Sequence, residues 1–154
     1  MAVMVGRVCA AAALIVLSSC GREARDPVRQ ALKGVVAAAE ARDAGAVAGY
    51  LSADFRDADG GTRTDAAELL RRYLAAYENI SLSLSEVVIE REPEAARATF
   101  TVGMSGKPRA VAGLEGLLPR TSRWRFVLRL EARNGVWKIT WASWKQLEEG
   151  FGAG

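Results

Sequence analysis

The side chains in this sequence that could do chemistry on a small molecule are few. Tyr50, Asp54 and Phe55 stand close together, Tyr73 and Tyr77 recur four residues apart, and Trp124 and Trp141 come later. A carboxylate in an apolar site can take a proton from carbon, and a neighbouring tyrosine can donate to the oxyanion that develops. Asp54 fits the first role and Tyr50 or Tyr73 the second. The same residues have a plainer reading, in which Asp54 caps a turn or helix end and the tyrosines are core residues with their hydroxyls at the rim. The chain contains no histidine. This removes the commonest general base near neutral pH and every histidine-based triad. With two cysteines in all, the familiar zinc sites are excluded as well, so no metal or cofactor is expected.

Those two cysteines, Cys9 and Cys20, have another use. Val8 to Leu17 is an unbroken apolar run behind one basic residue, Arg7, and LSSC (Leu17 to Cys20) follows before charged residues begin. The layout is that of a secretory signal, and the run is too short to span a bilayer, which takes roughly 20 apolar residues. LSSC resembles the lipobox of bacterial lipoproteins. That resemblance implies cleavage before Cys20, attachment of lipid to its thiol and acylation of its amine, which together anchor a protein stably. Gly21, where an aspartate would favour inner-membrane retention, implies the outer membrane facing the periplasm. The alternative is a plain secretory signal that leaves Cys20 as a free thiol. The expected organisation is a signal peptide over 1–19, a tether over 20–26, one domain over 27–146 and a tail over 147–154. The formal net charge of +3 is too mild for a nucleic-acid binder, so no nucleic-acid partner is expected.

The elements that must position the candidate residues follow from periodicity. Asp26 and Pro27 predict an N-cap and first helical position, and Val28, Leu32, Val35, Val36 and Ala39 recur at helical spacing up to about Ala41. Asp43 caps a second short helix whose apolar positions are Ala46, Val47, Tyr50 and Leu51, running into Asp54 and Phe55. After the turn cluster Asp57 to Asp65, a third helix starts at Thr64 or Asp65, with Glu68 completing a capping box and Leu69, Leu70, Tyr73, Leu74 and Tyr77 on its inner face. From Ile80 the period becomes two, with a change of parity that predicts a bulge near Ser85 and Glu86. Strands follow over Ala96 to Met104, Trp124 to Leu130 and, after an Asn134-Gly135 turn, Val136 to Trp144. In the last, Trp137, Ile139 and Trp141 share the inner face, and Trp144 points outward to cover an edge or meet a partner. The intervening segment 105–120 carries Val111, Leu114, Leu117 and Leu118, which form a lid, dip into a membrane or pack on the sheet. Arg123, Arg125 and Arg129 form a solvated face. Helices first and strands second predict an α+β domain, with N-terminal helices packed on a curved antiparallel sheet.

This order, together with LSADFRDADGGTRTDAAELLRRYLAAY and WRFVLRLEARNGVWKITWASW, resembles the nuclear transport factor 2-like (NTF2-like, SnoaL-like) superfamily over about Val28 to Trp144. The resemblance implies a cone whose sheet wraps the helices and leaves an apolar pocket. Family members include isomerases and dehydratases as well as non-enzymatic binding domains, so fold alone does not give function. Without histidine, the aspartate and histidine pair of the family's dehydratases is missing. The expectation drawn is a membrane-anchored envelope lipoprotein with a non-catalytic NTF2-like domain that binds a small apolar ligand or a protein partner. One alternative is a small isomerase- or dehydratase-type enzyme using Asp54 with Tyr50 or Tyr73, and another is a structural module that forms a homodimer.

Overall fold

The computed structural model describes residues 25–110 and 118–148. The signal segment, Cys20, the end of the tail, and Val111, Leu114 and Leu117 of the long loop lie outside the described residues.

Helix α1 is Pro27–Glu40. The Asp26 carboxylate accepts from the Val28 backbone N–H at 2.8 Å, and Pro27 occupies the first turn, where no donor is needed. Val28, Ala31, Leu32 and Ala39 form its buried stripe. Helix α2, Ala44–Gly49, is capped by Asp43, which accepts from the Ala46 N–H at 2.8 Å. The chain then leaves helical geometry earlier than its apolar spacing predicts, because Leu51–Asp57 is a strand, β1. Helix α3 is Arg63–Ala75. Thr62, not Thr64 or Asp65, is its N-cap, and Asp65 rather than Glu68 completes the capping box, its shorter carboxylate reaching the Thr62 N–H at 2.8 Å. Glu68 instead accepts from Arg71 and Arg72 on the exposed face.

Four longer strands follow: β2 (Tyr77–Arg91), β3 (Ala95–Pro108), β4 (Thr121–Arg133) and β5 (Val136–Leu147). The spatial order is β1-β5-β4-β3-β2. β2 to β5 pair antiparallel, but β1 pairs parallel with β5, placing Leu51 beside Ile139. The sheet is therefore mixed rather than wholly antiparallel, which corrects the expectation. Asn134 and Gly135 turn β4 into β5 with φ of 54° and 76°, the positive pair that a tight hairpin requires.

Two bulges steer the side chains. In β2, Ser85 pairs with Thr101 and Val88 with Thr99, so one extra residue is inserted where Glu86 takes φ 52°. Leu84 before the bulge and Val87 and Ile89 after it therefore all pack on the core. In β5, Ile139 pairs with Leu130 and Trp141 with Arg129, which leaves Thr140 as the extra residue. The inward positions are consequently Ile139, Ala142 and Trp144, and Trp141 turns outward. The helices pack on the inner face in two clusters, one around Phe55, Phe100 and Leu130, the other around Leu74, Tyr77 and Met104.

Candidate active site

Between the helices and the inner face lies a cavity of about 360 Å³. That is the size of a pocket for a small organic molecule. Its wall takes Leu32, Val35 and Val36 from α1, Leu69, Leu70 and Tyr73 from α3, and alternate residues of the strands, among them Leu82, Leu84, Phe100, Met104, Trp124, Phe126 and Trp144. Alternation puts one face of each strand inside, and the two bulges keep that face inward along strands of 12 to 15 residues. Leu69 is exposed at the wall, so part of the lining meets solvent.

Tyr73 supplies polarity to this apolar space. Its hydroxyl donates to the Met104 Sδ at 3.0 Å. A thioether sulfur is a weak acceptor, so this hydrogen bond is readily exchanged for one to a ligand oxygen. The Trp124 Nε1–H, another donor on the wall, is held by the Ser122 Oγ at 3.0 Å. Tyr77 stands behind Tyr73, fully buried and outside the wall, with ring centroids 5.5 Å apart. Its hydroxyl donates to the Pro119 carbonyl at 2.9 Å, and burial pushes its pKa up to about 12, so it stays neutral. The Arg109 N–H donates to the Ala76 carbonyl at 2.8 Å and Leu118 packs on the second cluster, so both ends of the long loop are fixed near these tyrosines.

Of the residues singled out from sequence, Phe55, Tyr73 and Trp124 are thus brought together on the wall, and Tyr50, Asp54, Tyr77 and Trp141 are not. Asp54 is the largest correction. Its carboxylate is exposed and gripped by Arg133, with Nη1 to Oδ1 and Nη2 to Oδ2 both 3.0 Å. The guanidinium holds the carboxyl down at about 2, the opposite of what a base in an apolar site needs. Tyr50 lies against α1, its hydroxyl occupying the space a side chain at Gly34 would need, since an added Cβ would fall 2.0 Å from the oxygen. Trp141 lies outside, with the Arg129 guanidinium 4.9 Å from its ring centroid. Sequence reading missed Trp144, which lines the cavity 6.3 Å from Phe126, and Met104 as the partner of Tyr73. Met104 had a legible signal in the alternation of β3, whereas Trp144 was hidden by the bulge at Thr140. Among the described residues no group of histidine, cysteine, aspartate or glutamate converges as metal ligands.

No protein-family model and no curated protein sequence matches the chain. Solved structures do. A candidate scytalone dehydratase of Novosphingobium aromaticivorans superposes with a TM-score of 0.70 at 11% identity, covering 86% of this chain and 89% of its own. The fold is that of the NTF2-like proteins. An NTF2-like superfamily protein from Salmonella enterica superposes at 0.65 with 15% identity over 87% of this chain and 99% of its own. A hexachlorocyclohexane dehydrochlorinase (LinA-type3) from Novosphingobium barchaimii gives 0.64 with 15% identity over 85% and 92%. These likenesses correct the expectation of a non-catalytic module, because the solved chains that superpose on this one include proteins named as a dehydratase and a dehydrochlorinase. The remaining enzymatic alternative must do without Asp54.

Proposed function

We propose that the chain is an enzyme of the dehydratase or isomerase type, acting on a small, largely apolar molecule that carries a carbonyl or hydroxyl oxygen. The observation that carries this reading is the Tyr73 hydroxyl, which donates to a weak sulfur acceptor at the wall of an apolar cavity of about 360 Å³. A donor in such surroundings stabilises charge on a substrate oxygen far better than it would in water. The names of the superposing enzymes support the same reaction class.

The lining narrows the chemistry further. It offers no carboxylate among the described residues, so the proton leaving carbon passes to water entering at the exposed side. Substrates are then those whose C–H is already acidified by an adjacent carbonyl. The C–H electron pair becomes part of a new double bond, and the Tyr73 hydroxyl donates to the oxygen on which charge accumulates. Where a hydroxyl leaves, Tyr73 delivers its proton and regains one from water; where the double bond only shifts, water returns a proton to the γ carbon.

The test is turnover of a panel of cyclic β-hydroxy ketones and β,γ-unsaturated ketones, followed by ultraviolet absorbance of the conjugated product. Y73F should lower kcat by about 10²-fold, as loss of one oxyanion donor does, with KM little changed. Absence of turnover across the panel, or an unimpaired Y73F, sinks the reading.

The LSSC stretch supports a second element: that the enzyme is a lipoprotein anchored through Cys20 to the bacterial envelope. Mass spectrometry of the amino-terminal peptide should find an acylated Cys20, and C20S should leave the membrane fraction; an unmodified thiol rules the anchor out.

A further inference from the structure

We propose that the outer face of the sheet is a docking surface for an anionic phospholipid bilayer. The strands send Trp124, Phe126, Leu128 and Phe100 to the cavity, so Arg123, Arg125 and Arg129 of β4, Arg97 of β3 and Lys145 of β5 project from the other side. The register sets Arg97 directly opposite Arg129 and Arg125 directly opposite Lys145. Like charges facing each other across strands are destabilising. The sheet therefore concentrates positive charge here at some expense to its own stability.

Neutralisation within the face is partial. Glu86 takes Arg125 at 3.0 Å, and Asp54 and Glu131 both take Arg133. Arg97, Arg123 and Lys145 make no ion pair within 4 Å among the described residues, although the Arg123 charge also acts on Glu86, and Glu90, which pairs with Arg97 in the register, forms no ion pair with it. Trp141 lies among these cations with Arg129 over its ring. The described helices all pack on the opposite side of the sheet.

A broad face that combines unpaired cations with a partly exposed indole suits the headgroup region of a bilayer, where tryptophan concentrates and anionic lipid attracts lysine and arginine. A second copy of the chain laid on the same face would set two surfaces with an excess of positive charge against each other. An acidic protein is the competing partner, and the experiment distinguishes it.

Full-length chain carrying C20S, which removes any acyl anchor, is sedimented with vesicles of phosphatidylcholine alone or mixed with phosphatidylglycerol. Binding should favour the anionic vesicles, and the triple variant R97Q/R129Q/K145Q should bind them about a hundred-fold more weakly, at roughly one kcal/mol per cation. Arg7 is present in both proteins, so the difference between them reads the sheet face alone. Circular dichroism checks that the variant is folded, and its turnover should equal that of the parent. Equal binding to the two vesicle types, equal binding by the triple variant, or a parent that ignores anionic vesicles while binding a polyglutamate peptide would overturn the proposal.

Discussion

The two faces of strands β3 to β5 share a backbone and differ in almost everything else. Inward lie Phe100, Phe126, Leu128, Leu130 and Trp144, and outward lie Arg97, Arg125, Arg129, Trp141 and Lys145. The contrast teaches that function here is allocated by parity. A residue one step along the chain passes from an apolar cavity to a charged surface, and a bulge is the device that resets which is which.

The comparison breaks most visibly if neighbours on the two faces are truncated. Leu130→Ala should destabilise by about 3 kcal/mol, the usual scale for emptying a fully buried leucine site, whereas Arg123→Ala should change stability by no more than about 0.5 kcal/mol. Urea denaturation of both variants measures the difference, and similar midpoints would refute the assignment of faces. Asp26→Ala is expected to cost about 1 kcal/mol, because it removes the N-cap of α1, and it also deletes the ion pair with Arg91 at the end of β2. The same denaturation series checks it. At the hairpin that joins β4 to β5, Gly135→Ala should cost about 1 kcal/mol through its positive φ.

The smallest effect concerns the acidic edge of the outer face. Arg133 depresses the Asp54 pKa to about 2, so the ionised pair favours the folded state above the ordinary carboxyl value and loses that contribution as pH falls toward 2. A carbon-detected NMR titration should find the Asp54 midpoint near 2 in the parent and nearer the ordinary value of 3.8 in Arg133→Ala. The group is exposed, so global stability should hardly register the change. An Asp54 midpoint unmoved by the substitution would show that the pair does not form in solution.

How much of this was legible in the sequence depended on whether the relevant contact was local. Asp26, Pro27 and Asp43 announce the first two helices because capping is settled within a few residues. The alternation of β3 and β4 reads correctly, and so does the bulge at Glu86, because Leu84 and Val87 change parity visibly. The segment LSADFRD does not read as a strand, since Tyr50, Leu51 and Phe55 continue the spacing of the preceding helix and the partner that makes it extended is β5. Asp54 suggests a base only while Arg133, 79 positions away, is out of view. Trp141 and Trp144 exchange places because Thr140 occupies a bulge that no local pattern marks. In each case the missing information is a contact with a distant segment.

The parallel pairing of Leu51 with Ile139 has a consequence for how the molecule is made. A ribosome delivers β1 early and its partner last, so the edge strand must wait unpaired while nearly all of the domain is synthesised. Contacts this distant in sequence close slowly, after the antiparallel hairpins have formed. The cavity wall, which needs Phe55 from β1 and Trp144 from β5, is therefore assembled only at the end. A nascent chain stalled before Val136 would hold the three antiparallel strands β2, β3 and β4 and an open apolar groove, the form in which it would most need a chaperone.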